Sequence, residues 1–303
     1  MKRALFLLLA CIPICLSSCS GTPREAPESG KISVVATNFP AYDFARQVGA
    51  GAADVAMLLP PGGESHSYEP TAQDILKIQN CDLFVYTGGE SDAWVDKVLH
   101  SLGMEIRTLK MMDCVSVIEE DSHGEEAGEY DEHVWTSPVN AIKITGAIQD
   151  ALCQIDSAGA EQYAQNAATY IEALTQLDQD FREFFESTEQ KTLIFGDRFP
   201  LLYFVKEYGL EYEAAFPGCA EHTEPIASTI VQLIDDIKEK NISTIYYIEF
   251  SNHTIADSLA ETTGTQTALF YTCHNVSKEQ LADGTTYLSL MRENLETLKQ
   301  TMH

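Results

Sequence analysis

Residues 158–187 read AGAEQYAQNAATYIEALTQLDQDFREFFES, and this stretch decides the architecture. It holds no proline and no glycine beyond Gly159. Tyr163, Tyr170, Leu174, Leu177, Phe181 and Phe184 recur at steps of seven, four, three, four and three, the period of one helix face. Roughly 28 helical residues at about 1.5 Å each span about 40 Å, longer than one small lobe is wide. The spacing predicts a rigid strut crossing two lobes; the competing reading is two shorter helices with a kink between them.

On the N-terminal side of the strut, short apolar runs alternate with helical periods. Ile32–Ala36, Val55–Leu59, Leu83–Thr87 and Glu105–Leu109 read as strands, and Ala41–Val48, Ala72–Gln79, Ser91–Leu102 and Val139–Leu152 as helices. The C-terminal side repeats the plan, with strands at Thr192–Phe195, Glu211–Ala215, Thr244–Ile248 and Gln266–Tyr271. Its helices are expected near Leu201–Tyr208, Ile226–Glu239, Ala256–Thr262 and Thr286–Thr301. Strand and helix in alternation build parallel sheets covered on both faces. The expected fold is α/β, two similar parallel-sheet lobes joined by one long rigid helix, with a ligand site in the interlobe cleft.

The chain has 46 Asp and Glu against 19 Lys and Arg, a net charge of -27 that repels nucleic acid and anionic membranes and suits a cation as guest. Lys2 and Arg3 precede an apolar run, Ala4–Leu16, too short to span a bilayer as a mature helix. It closes on Leu16-Ser17-Ser18-Cys19, which looks like a bacterial lipoprotein box with Cys19 as the lipid anchor. The expected organisation is a signal peptide over 1–18, a disordered tether over 19–30, an N-terminal lobe over 31–156, a linking helix over 157–188 and a C-terminal lobe over 189–303. Cys81, Cys114, Cys153, Cys219 and Cys273 show no CxxC spacing; one disulfide, Cys219 with Cys273, is compatible with export.

Ligand residues are expected just after strands. The Pro60-Pro61-Gly62-Gly63 turn holds His66 at the sheet edge, and the stretch Glu129-Tyr130-Asp131-Glu132-His133-Val134-Trp135 delivers His133 onto an apolar step. In the second lobe the strand ends deliver Asp197, Glu249 and His274, although Asp197 is equally explained by a salt bridge to Arg198. His123, in the acidic loop Glu119–Glu132, and His222 and Glu224, in the Pro217–Pro225 loop, are possible loop contributors, although solvated loops are the simpler reading of both segments. No G-x-S-x-G, P-loop, G-x-G-x-x-G or H-E-x-x-H occurs, so no catalytic residue is assigned. A metal-dependent hydrolase on the same plan would need Glu249 as its base.

These residues resemble the solute-binding lipoproteins of bacterial ABC importers for zinc and manganese. The likeness runs from Lys31 to the C-terminus and rests on the Gly-Glu-Ser-His66-Ser-Tyr-Glu-Pro loop, the Glu-His133-Val-Trp-Thr-Ser-Pro step, the acidic insertion before it and the Asp283–Leu295 segment. By that resemblance His66 and His133 are the N-lobe imidazole ligands and His274 stands at the last C-lobe ligand position. The family's ligand after the first C-lobe strand falls on Gly196, so Asp197, Glu249, His222 or Glu224 must substitute, or water completes the shell. Three imidazoles and an oxygen favour Zn2+, with Mn2+ as the alternative. The resemblance implies a monomer that is not an enzyme, tethered to the cell membrane and passing metal to an ABC transporter permease; a surface adhesion lipoprotein is a further alternative.

Overall fold

The computed structural model describes residues 30–120, 130–216 and 226–302. The first lobe contains β1 (Ile32–Ala36), α1 (Phe39–Val48), β2 (Ala53–Met57), α2 (Ala72–Asn80), β3 (Leu83–Tyr86), α3 (Ala93–Leu102), β4 (Thr108–Lys110) and α4 (Pro138–Ile155). Then come the strut α5 (Ala160–Ser187) and the second lobe: β5 (Thr192–Phe195), α6 (Leu202–Tyr208), β6 (Glu211–Ala214), α7 (Ala227–Glu239), β7 (Thr244–Tyr247), α8 (Thr254–Thr263), β8 (Gln266–Leu269), α9 (Lys278–Ala282) and α10 (Tyr287–Thr301). Each lobe is a four-stranded parallel sheet, ordered β2-β1-β3-β4 and β6-β5-β7-β8. Strand order therefore reverses between β1 and β3, and between β5 and β7, the places where strand-end loops diverge and leave a crevice.

Local chemistry sets the helix starts. Asn38 accepts the amide of Ala41 ahead of Pro40, while its own side-chain amide donates to Thr87 Oγ1 across the sheet. Thr71 and Asp74 form a capping box on α2, and Ser137 caps α4. Ser277 and Gln280 cap the short α9 in the same reciprocal way, an element the apolar periodicity was too brief to announce.

The strut is one unbroken helix of 28 residues, so the kinked alternative is discarded. Its buried face is Tyr163, Ala167, Tyr170, Leu174, Leu177, Phe181 and Phe185. Phe185 replaces the expected Phe184, because a step of four from Phe181 keeps the two rings stacked at 6.1 Å, while Phe184 lies at the stripe's edge. Expected strand ends shift in a similar way: β2 begins at Ala53, paired with Ile32, and β4 is only Thr108–Lys110.

A single apolar cluster runs from Val34 and Phe44 through Trp135 and the strut to Phe270, Tyr287 and Leu298, so the lobes share one core. Polar staples reinforce it. Asp43, fully buried on α1, accepts from Arg46 Nε at 2.7 Å, Tyr170 Oη at 3.0 Å and the Tyr287 amide at 2.8 Å. Arg46 also donates to the carbonyls of Gly284 and Thr285, fastening the segment that leads into α10 to α1. Among the described residues no helix is long and apolar enough to cross a membrane.

Candidate metal centre

His66 follows β2 on a loop that the other lobe grips. Gly62, at φ +75, donates its amide to Val276, and the Asn275 side chain donates to the carbonyls of Pro60 and Gly63 at 2.9 and 2.8 Å. The positive φ is what lets the chain turn tightly enough to make both contacts. Glu64 reaches Arg198 of the second lobe at 3.5 Å.

His133 is 3% exposed and stands just before a 3-10 turn, Val134–Thr136. Its Nδ1 lies 2.8 Å from Asp131 Oδ1, which also accepts the His133 amide at 2.7 Å. A carboxylate acceptor at Nδ1 draws the ring proton there and leaves the Nε2 lone pair for a cation. Asp131 is itself tied across the cleft, its carbonyl accepting from Tyr203 Oη at 2.7 Å.

The His66 and His133 rings are 6.3 Å apart, and with Glu132 they place one donor atom each within 4.8 Å of one another. Glu132 is buried, its Oε1 3.9 Å from His66 Nε2. Both its oxygens are held by Ser91, Oε2 by the amide at 2.9 Å and Oε1 by the hydroxyl.

Trp135 packs beside both His133 and His274. Its ring lies 5.3 Å from His133 and 6.3 Å from His274, nearly parallel to the latter, and its Nε1 donates to the Thr272 carbonyl at 2.9 Å. His274 lies outside the 4.8 Å group, but its Nε2 is buried without a hydrogen-bond partner among the described residues. Burial, then the neighbouring His133, His66 and Arg198, pulls its pKa down to about 3, so the ring stays neutral and able to donate its lone pair.

Glu249 and Asp197 are placed differently from free ligands. Glu249 accepts the Thr272 amide and hydroxyl at 2.7 and 2.6 Å and the His274 amide at 3.1 Å, so its carboxylate organises the backbone behind His274. Burial raises its pKa. Asp197 accepts the amides of Arg198 at 2.8 Å and Ile248 at 3.3 Å. The salt bridge expected between Asp197 and Arg198 gives way to Arg198 with Glu64, because Asp197 turns inward at the sheet's switch point. Gly196 packs so closely on α8 that a Cβ there would lie 2.4 Å from Ala256 Cα.

His123, His222, Glu224, Cys19 and Cys219 lie outside the described residues. Cys273 is a buried free thiol at φ +61, its pKa pushed well up by burial. Sequence reasoning missed Asp131 and Glu132 as parts of the site. The one available signal was their position directly before His133, which was absorbed into the acidic loop.

Two doubly wound lobes pinned by one helix, with imidazoles and a carboxylate brought together where they meet, define a cleft-type metal-binding protein. The profile of the family described as ZnuA, zinc-uptake complex component A, periplasmic, matches residues 34–301. Zinc-binding lipoprotein AdcA of Streptococcus pneumoniae is 33% identical over 99% of this chain, which spans 61% of that relative's length. High-affinity zinc uptake system protein ZnuA of Bacillus subtilis is 33% identical, with 98% of this chain and 97% of that protein covered. The Zn(II)-bound ZnuA-like domain of S. pneumoniae AdcA superposes with a TM-score of 0.76 over 90% of this chain and 99% of that one, at 33% identity. The chain belongs to the ZnuA family.

Proposed function

We propose that this protein is an extracytoplasmic receptor that captures Zn2+ between its lobes and delivers it to the permease of an ABC importer. The observation that carries the reading is the convergence of His66, Glu132 and His133 within 4.8 Å, near a C-lobe imidazole whose buried Nε2 has no hydrogen-bond partner among the described residues. Imidazole nitrogens with one carboxylate match the four-coordinate preference of Zn2+; Mn2+ seeks more oxygens than the described residues present here. The zinc-binding and zinc-uptake names of the relatives support the same cargo.

His133 and His66 are ligands from the first lobe and His274 from the second, with Asp131 fixing the His133 ring and Glu249 holding the His274 loop. The protein is not an enzyme in this reading. The hydrolase alternative needs Glu249 as a base, and among the described residues its carboxylate is engaged by the Thr272 amide and hydroxyl and the His274 amide. The acylated Cys19 would tether a monomer by the segment 19–30 to the cell membrane, close to the permease. We assign the lobes to 31–156 and 189–303, with 157–188 as the link between them.

The strut and shared core limit how far the lobes can separate, so release requires loop and side-chain movements rather than wide domain closure. Metal-free and zinc-loaded crystal structures differing by a few ångströms at the His66 and His274 loops are expected; a rotation of one whole lobe away from the strut would overturn this.

A further inference from the structure

His66, His133 and His274 supply three nitrogens, and Zn2+ held by three protein ligands would leave a fourth position open. The carboxylates at the second lobe's switch point do not fill it: among the described residues neither Asp197 nor Glu249 joins the group of donor atoms lying within 4.8 Å of one another, whereas Glu132 does. Gly196 cannot be rebuilt as a ligand either, because its Cβ would collide with Ala256.

We propose that Glu132 is the oxygen ligand, so that the first lobe alone provides three of the four donors. The inference rests on the zinc-capture reading above. In a tetrahedral site with bonds of about 2.0–2.2 Å, neighbouring donor atoms lie about 3.4 Å apart. Glu132 Oε1 and His66 Nε2 are 3.9 Å apart, so an ion between them draws the pair together by about half an ångström. A flexed side chain supplies that movement.

The carboxylate is seated as a ligand needs to be. Ser91 donates to both its oxygens, and each carboxylate oxygen keeps a second lone pair for a cation. The seat is built by glycine: a Cβ on Gly89, at φ +77, would lie 2.3 Å from Glu132 Oε2 and 2.5 Å from its Cβ. Any other residue at 89 would displace the carboxylate. Among the described residues no lysine or arginine pairs with Glu132, whose ion-pair contact is His66, so a bound cation is the natural counter-charge for a group only 4% exposed.

The test compares the full-length protein with Glu132→Gln and His133→Ala by chelator competition with Zn2+, by the visible spectrum of the Co2+ form, and by melting of the metal-free forms. Glu132→Gln keeps the side-chain volume and removes the charge. The expected result is a zinc affinity lowered roughly 100-fold or more, at or beyond the upper limit of losses from groups that merely orient ligands, with a changed Co2+ spectrum and a metal-free melting point near wild type. Wild-type binding abolished by His133→Ala, with Glu132→Gln within about tenfold of wild type or showing the wild-type Co2+ spectrum, would overturn Glu132 while leaving zinc capture intact. Failure of the wild type to bind zinc would overturn both. Should Glu132→Gln not fold, the zinc-loaded wild-type crystal structure decides: a Zn–Oε1 distance of about 2.0–2.2 Å is expected, and a water in that position refutes the assignment.

Discussion

Asp43→Ala removes the acceptor around which the lobes meet. In the wild type this fully buried carboxylate takes Arg46 Nε at 2.7 Å, Gln47 Nε2 at 3.2 Å, Tyr170 Oη at 3.0 Å and the Tyr287 amide at 2.8 Å. Alanine leaves the Arg46 charge without its closest partner and strands a tyrosine hydroxyl and a helix-start amide inside the core. Removing one member of a buried ion pair costs about 3–5 kcal/mol, and the stranded Tyr287 amide keeps the figure at the upper end. At about 2–4 °C per kcal/mol for a chain of this size, the metal-free protein should melt roughly 10 °C lower. Asp43→Asn retains an acceptor and should lose about half as much. Urea unfolding of the metal-free protein measures both. An alanine variant within about 1 kcal/mol of wild type would refute the claim that this carboxylate, rather than the apolar core alone, holds α1 to α10.

Two buried groups give pH slopes of opposite sign. His274 has its pKa pulled to about 3, below the ordinary 6.5, so the unfolded chain takes the proton first and stability falls as pH drops from about 6.5 towards 3. Asp92 is pushed up to about 7, chiefly by burial and also by the Glu132 charge, so its contribution is present below about 4 and lost as pH rises through 7. Relative to wild type, Asp92→Asn should therefore steepen the gain in urea stability from pH 4.5 to 6.5, and His274→Ala should flatten or reverse it; identical slopes in all three would exclude these shifts. Gly196→Ala, with its Cβ 2.4 Å from Ala256 Cα, should cost about 1–3 kcal/mol in thermal unfolding, and a neutral result would mean that α8 yields freely. Trp135→Phe keeps a ring beside the imidazoles but strands the Thr272 carbonyl, so stability should fall by about 1–3 kcal/mol and zinc affinity with it; unchanged affinity would show that the indole does not set the position of His274.

The fold was legible because its two signals are local and repeated. The stripe from Tyr163 to Phe181 needs only helical period to be read, and runs such as Val34-Val35-Ala36 and Leu193-Ile194-Phe195 are continuous apolar segments of the kind a doubly covered parallel strand requires. The sequence misleads where one residue's choice depends on a distant partner, as with Phe185, which stacks on Phe181 and meets Phe204 edge-on, in place of Phe184. The site divides in the same way. His66, His133 and His274 stand out as imidazoles at strand-end loops, but the roles of the carboxylates are set by what they meet across space. Asp197 and Glu249 occupy the expected strand ends and turn to backbone amides, whereas Glu132 gains its place from Gly89 and Ser91, more than forty residues away. Nothing in the local sequence distinguishes Glu132 from the acidic residues before it.

The measurement that bears most directly on zinc capture is a chelator-competition titration of wild type and His133→Ala with Zn2+ and Mn2+ side by side. Tight one-to-one zinc binding, weaker manganese binding and collapse of the zinc isotherm in the variant are expected. Weak binding of several ions, unchanged by His133→Ala, would mean that acidic surface alone collects the metal and would contradict a receptor site between the lobes.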